Sequence, residues 1–108
     1  MTDSEKEIDM PYGLVYLFDN TVTEDQYWAV NDKLGIKRDG SGDWPQGLIS
    51  HGGGPTADGG WVVTEIWTSK AVQEAFFASR LGPALGAVAV SPPTRMIESD
   101  LVNHVRPG

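Results

Sequence analysis

Apolar and polar residues change their period along this chain, and each change marks an element. Tyr12 to Phe18 (YGLVYLF) is rich in aromatic and β-branched residues and reads as a strand. Tyr12, Leu14, Tyr16 and Phe18 fall on one face, Val15 and Leu17 on the other. A strand in a sheet wetted on one side alternates apolar with polar. This one does not, so something must cover each face. Asp19-Asn20-Thr21 is a turn, after which the period becomes helical: Tyr27, Val30 and Leu34 make a single apolar stripe. Thr23 and Gln26 have capping-box spacing, and Gly35 suits the position that ends a helix. Ile36 to Asp43 (IKRDGSGD) is a polar, Gly-rich connection.

The stretch Asp43 to Trp67 holds three of the four Trp residues, one of the two His residues and six of the 13 glycines. A second strand is expected over Gln46 to His51 and a third over Trp61 to Trp67. Gly52-Gly53-Gly54-Pro55 and Asp58-Gly59-Gly60 are expected to bracket a loose turn between them. Simple alternation groups Gly47, Ile49 and His51 on one face of the second strand. On the third, Trp61, Val63, Glu65 and Trp67 share one side and Val62, Thr64 and Ile66 the other. Ser69 is a candidate N-cap for a second helix, with Val72, Phe76 and Leu81 inside and Lys70, Gln73 and Glu74 outside. Leu81-Gly82-Pro83 is expected to interrupt it, with a short turn through Leu85. Ala87 to Val90 reads equally as helix end or extended chain. Ser91-Pro92-Pro93 is an extended linker into a last strand, Thr94 to Val105.

The order β-α-β-β-α-β is that of a ferredoxin-like α+β fold, a four-stranded antiparallel sheet with two helices on one face. Two helices cannot cover both faces, and Val15, Leu17, Val62 and Ile66 fall on the uncovered one. A second subunit docking sheet to sheet would bury them, which predicts a homodimer closing into an α+β barrel.

Composition narrows the range of partners. A chain of 108 residues is one domain, here residues 11–106 after a tail, 1–10, expected to be disordered. That tail (MTDSEKEIDM) lacks the basic start and apolar core of a signal peptide. The net charge of -7 disfavours nucleic acid and anionic membrane surfaces, because no basic face exists to meet phosphates. Cys is absent, so neither disulfides nor thiolate chemistry operate. No apolar run approaches the ~18 residues of a membrane span. The expected location is cytoplasmic.

The predicted topology, with Thr64-Glu65-Ile66-Trp67 running straight into a capped helix that carries Phe76-Phe77, resembles the dimeric α+β barrel superfamily. Within it, the "E-x-W, then helix" pattern is similar to antibiotic biosynthesis monooxygenase-like domains. The segment DWPQGLISHGGGP…GGWVVTEIW resembles small uncharacterised actinobacterial members. The resemblance covers residues 11 to 106. It implies a ligand pocket between sheet and helices, with Trp67 at the position of a tryptophan that commonly lines it. Activities in the superfamily include cofactor-independent oxygenation of polyketide-type aromatics, haem degradation and lactone isomerisation; some members have no known catalysis. Haem-degrading relatives carry a His on the second helix, where this chain has Phe76-Phe77, so no haem is expected.

Candidate chemistry centres on two residues. Glu65 is a carboxylate in an otherwise apolar strand, suited to general acid–base work if buried. His51 closes the second strand and is the best base at physiological pH if it faces the pocket. Trp67, Trp61, Tyr16, Phe77 and Trp44 are candidate substrate-binding residues, and for each a core or loop-anchoring role is the competing reading. Tyr12, Tyr16 and Tyr27 could supply a phenol. His104 reads as an exposed strand end, and Arg80 as a solvated helix residue or an anion contact. Two His residues and no Cys make a weak case for a metal; the one arrangement left open is His–His–carboxylate with Glu65 or Glu98, and no metal is expected. The expected activity is a cofactor-free enzyme abstracting a proton from an apolar aromatic or polyketide-like metabolite, as a monooxygenase or as an isomerase or cyclase. The competing expectation is a non-catalytic dimeric ligand-binding or stress-type protein. In both, the partners are a small apolar or aromatic molecule and a second copy of the chain.

Overall fold

The computed structural model describes residues 10–108; the tail expected to be disordered falls almost wholly outside them. The elements are β1 (Tyr12–Phe18), α1 (Glu24–Leu34), β2 (Leu48–Pro55), β3 (Trp61–Trp67), α2 (Lys70–Phe76), α3 (Gly82–Val88) and β4 (Arg95–Asp100). The four strands form one antiparallel sheet in the order β2-β3-β1-β4. This is the ferredoxin-like α+β fold. Its helices pack on one face of the sheet, where Tyr12, Leu14, Tyr16, Trp61, Val63 and Trp67 meet Val30, Leu34, Phe76 and Leu85 in a single core.

Local chemistry explains the ends of α1. The Thr23 hydroxyl accepts from the Gln26 backbone N–H and the Gln26 side chain accepts from the Thr23 N–H, completing the capping box. Gly35 ends the helix in the left-handed region at φ 76°. The connection that follows is held by Arg80, whose guanidinium donates to the carbonyls of Leu34 and Asp43 and pairs with the Asp43 carboxylate at 3.2 Å. Arg80 is thus a clamp between two segments, not a solvated helix residue.

Three expectations about boundaries are corrected. β2 starts two residues later than expected and runs through the whole glycine run to Pro55, with Gly52, Gly53 and Gly54 paired to Thr64, Val63 and Val62. The turn is only Thr56 to Gly60, closed by the Thr56 hydroxyl accepting from the Gly60 N–H at 2.9 Å. Pro55 is tolerated because β2 is an edge strand. β4 stops at Asp100, not Val105.

The third correction concerns the second helix, which is not interrupted at Pro83. Between α2 and α3, Phe77–Leu81 forms a π turn, with the Gly82 N–H reaching back to the Phe77 carbonyl. The widened turn carries the chain through Pro83, whose ring would clash with a carbonyl in a regular α-helix. Helical structure then continues to Val88. The facing also differs: Gln73 is buried at 2% exposure, whereas Val72, expected inside, is 37% exposed.

Among the described residues, no helix packs on the other face of the sheet. Val15, Leu17, Val62 and Ile66 lie there half-buried, and Ile97 is exposed.

Candidate functional site

Glu65 sits at the centre of β3 with only 6% of its surface exposed. Each carboxylate oxygen has its own partner. Oε1 accepts from the indole N–H of Trp67 at 3.0 Å, and Oε2 lies 3.1 Å from Nδ1 of His51. His51 stands directly opposite Glu65 in the β2–β3 register. Cross-strand neighbours on one face are close enough for such a contact.

The facing of His51 is set by an irregularity. The register shifts between Leu48 and Ser50, so the expected Gly47-Ile49-His51 face does not form. Leu48 and His51 instead share the side toward the helices, and both line the space there. Such a shift re-aims the side chains beyond it.

The second imidazole nitrogen is also engaged. Nε2 of His51 lies 2.6 Å from the Tyr27 hydroxyl, which reaches across from α1, and the two rings stack at an interplanar angle of 13°. Gly53 makes this possible: a Cβ there would meet the Tyr27 ring at 2.7 Å. The partners dictate the tautomer. A carboxylate only accepts and an indole N–H only donates, so Nδ1 carries the proton toward Glu65 and Nε2 accepts from the Tyr27 O–H. The result is one directed chain: Trp67 to Glu65, His51 to Glu65, Tyr27 to His51. Burial, with the Glu65 charge adding to it and the Asn31 side chain opposing, raises the Tyr27 phenol above its ordinary value. The phenol therefore rests protonated, as the direction of the chain requires.

This chain edges a cavity of about 50 Å³ between the sheet and the helices. Its wall is mostly apolar, with Val30, Leu81 and Leu85 from the helices and Val63 from the sheet. Polar groups reach it from Tyr27, Asn31, His51 and Glu65.

The sequence-derived candidates divide by position. His51, Glu65, Trp61, Tyr16 and Trp44 all line the cavity. Trp44 meets the His51 ring edge-on at 5.6 Å, and its indole donates to the Ser41 carbonyl, which anchors the loop. Tyr16 accepts from the buried Gln73 amide at 2.7 Å, and its phenol is raised by burial and then by the Glu65 charge. Trp61 packs 5.2 Å from the Tyr27 ring; its buried indole nitrogen has no hydrogen-bond partner among the described residues. Trp67 and Phe77 lie off the wall. Trp67 is wholly buried and touches the site through Glu65, while Phe77 stacks on Tyr16 at 6.2 Å. His104 is half-buried and lies outside any strand.

The sequence reading missed the coupling of Tyr27 to His51 and the burial of Gln73 and Asn31. The available signal was the glycine run: a strand with no side chains leaves room for a large ring to cross it.

Among the described residues, no group of three or more His, Cys, Asp or Glu side chains converges as metal ligands would. Among them, too, no helix is long and apolar enough to cross a membrane.

The chain matches no family model and no curated protein. Solved structures do share its fold. One is a protein from Chloroflexus aurantiacus J-10-fl named "putative Antibiotic biosynthesis monooxygenase", with 18% identity, 91% of this chain and 99% of that one covered, and a TM-score of 0.60. A protein of unknown function from Nitrosomonas europaea aligns at 14% identity over 92% of this chain and 96% of its own, with a TM-score of 0.66. A dimeric ferredoxin-like protein of unknown function from Thermobifida fusca YX aligns at 17% identity, covering 83% and 88%, with a TM-score of 0.52. At such identities the likeness establishes the fold.

Proposed function

We propose that the cavity is the active site of a small, cofactor-independent enzyme that abstracts a proton from an apolar aromatic or polyketide-like metabolite. The observation that carries this reading is the hydrogen-bonded chain Trp67–Glu65–His51–Tyr27 ending at an apolar cavity. His51 is the base, with Nε2 as the accepting atom. Glu65 holds the imidazole in the required tautomer and stabilises the imidazolium that forms, a division of labour known from other histidine–carboxylate pairs. Tyr27 passes the substrate proton to Nε2, giving up its own and taking the substrate's. The C–H electron pair stays on the substrate as a carbanion or enolate. Oxygenation and isomerisation or cyclisation both start from that species. The name given to the structural neighbour from Chloroflexus aurantiacus favours a monooxygenase-like outcome.

The enzyme would act in the cytoplasm as a homodimer, built from a single domain over residues 11–106. The half-buried apolar sheet face supports the dimer, as does the dimeric neighbour from Thermobifida fusca.

A second reading is favoured by one observation. A cavity of about 50 Å³ is well below the ~300 Å³ at which pockets for drug-sized ligands begin. On that reading the protein is a dimeric binding domain for a compact apolar molecule, without catalysis.

Hydrogen–deuterium exchange separates the two. 1,3-Diketones and hydroxynaphthalenes incubated with the protein in D₂O report proton abstraction at carbon. The enzyme reading expects acceleration by the wild type and a loss on the order of 100-fold in His51→Ala, as for removal of a general base. Equal rates with wild type and His51→Ala would leave the binding reading.

A further inference from the structure

Trp61 is the one buried side-chain donor on the described residues whose hydrogen-bonding capacity is unused. It is 6% exposed, lies on the cavity wall and starts β3, with its indole nitrogen unpartnered. Buried polar groups are nearly always satisfied, and leaving one unmade is costly. The other two indoles around the site are spent: Trp67 on Glu65 and Trp44 on the Ser41 carbonyl. An indole N–H can only donate, so what completes Trp61 must be an acceptor. Of the polar side chains on the wall, among them Gln26, Asn31 and Glu65, none serves it, which leaves the acceptor to the cavity's occupant.

Position then restricts the occupant further. The Trp61 and Tyr27 rings are neighbours, 5.2 Å between centroids and tilted by 39°. An occupant lying against the Trp61 ring therefore also meets Tyr27, whose hydroxyl bonds His51, so the gap between its two contacts is short. A carbonyl with an acidic hydrogen on the adjacent carbon spans that gap.

We infer that the occupant is a compact ketone or related carbonyl compound whose oxygen accepts from the Trp61 indole while its α-hydrogen faces Tyr27 and His51. This rests on the proton-abstraction reading above and names its substrate class. When the α-C–H bond breaks, its electron pair becomes the enolate C=C and the carbonyl π pair moves to oxygen. The proton goes through Tyr27 to Nε2 of His51. Negative charge develops on the atom that Trp61 holds, so the indole binds the enolate more strongly than the ketone. Return of the proton restores the ketone, and no further reactant is needed.

The test uses cyclopentanone and methylenecyclopentane, which are similar in shape and differ in that a CH2 group replaces the carbonyl oxygen. Each is titrated into the full-length protein while the four indole N–H signals are followed by NMR. The expected result is a downfield shift confined to Trp61 with cyclopentanone, and binding on the order of tenfold tighter than the alkene, the worth of one buried donor satisfied. Trp61→Phe should remove the preference. An unmoved Trp61 signal, or equal binding of the two probes by wild type, overturns the inference whether or not the variant folds, and means that water serves this donor.

A parallel measurement of α-deuterium incorporation into cyclopentanone keeps the two readings apart. Selective binding with a Trp61 shift but no exchange defeats the enzyme and leaves the carbonyl site. Exchange that is lost in His51→Ala but unchanged in Trp61→Phe defeats the carbonyl site and leaves the enzyme.

Discussion

Trp67 donates its indole N–H to Glu65, its neighbour two residues back on the same face of β3, at 3.0 Å. The fully buried tryptophan thus acts on the site without touching the cavity. Trp67→Phe strips one carboxylate oxygen of its donor inside the core. The lost hydrogen bond alone should cost about 1–3 kcal/mol, with packing loss added. Urea denaturation measures it, and a variant as stable as wild type would mean that the bond contributes nothing.

Glu65→Gln alters the same network differently. A glutamine amide can donate toward His51 Nδ1, which would force the proton onto Nε2 and turn away the Tyr27 hydroxyl. Carbon–deuterium exchange should fall by at least about 100-fold with little change in fold, as when the wrong histidine tautomer is imposed elsewhere. Circular dichroism checks the fold and NMR the exchange. Undiminished exchange would remove Glu65 from the mechanism.

Gly53 and Gly54 make a matched pair. An added Cβ at Gly53 would meet the Tyr27 ring at 2.7 Å, whereas nothing lies within 4 Å of one at Gly54. Gly53→Ala should therefore push Tyr27 away from His51 and destabilise the protein by about 1–3 kcal/mol, as overpacking does. Gly54→Ala should be near neutral. Thermal unfolding of both variants reports the difference, and equal midpoints would refute the Tyr27 packing.

Tyr12, Tyr16 and Tyr27 are all raised above the ordinary tyrosine value of 10.0, chiefly by burial. The folded protein holds these protons more tightly than the unfolded chain does. Their contribution is fully present below pH 10 and is lost as pH rises toward the folded-state values. The melting temperature should fall as pH rises from about pH 10 upward, where unfolded tyrosines ionise while the folded ones keep their protons. Tyr16→Phe should flatten the fall. An identical slope in that variant would show that Tyr16 is not a source.

The apolar sheet face predicts a dimer that depends on Ile66. Ile66→Asp places a charge among Val15, Ile97 and Leu101 and should yield monomers by light scattering. Wild-type protein that is monomeric at micromolar concentration would remove the dimer altogether.

Elements that depend on local chemistry were legible from residues alone. The Thr23–Gln26 box starts α1, alternation around Glu65 assigns the two faces of β3, and aromatic and branched residues mark β1. Features that depend on a partner far along the chain were not. A triglycine reads as a turn until Tyr27 is seen to need the space above it. Gln73 reads as solvent-facing until Tyr16, 57 residues away in sequence, supplies its hydrogen bond. At the site, the identities of His51 and Glu65 could be read. Their pairing could not, because the register shift before Ser50 breaks the alternation on which their facing was argued.

The π turn at Phe77–Leu81 bears on how this chain can change length. Phe76 and Leu85 are both buried and both line the cavity, yet they are nine residues apart. At about 100° per residue, a regular helix would set them on opposite sides. The widened turn absorbs one residue and brings them back toward a common face. Residues 77–81 are therefore where the second helix could lose a residue and keep the alignment of its two halves. A deletion within Lys70–Phe76 or Gly82–Val88 would instead rotate one side of the cavity wall away from the other.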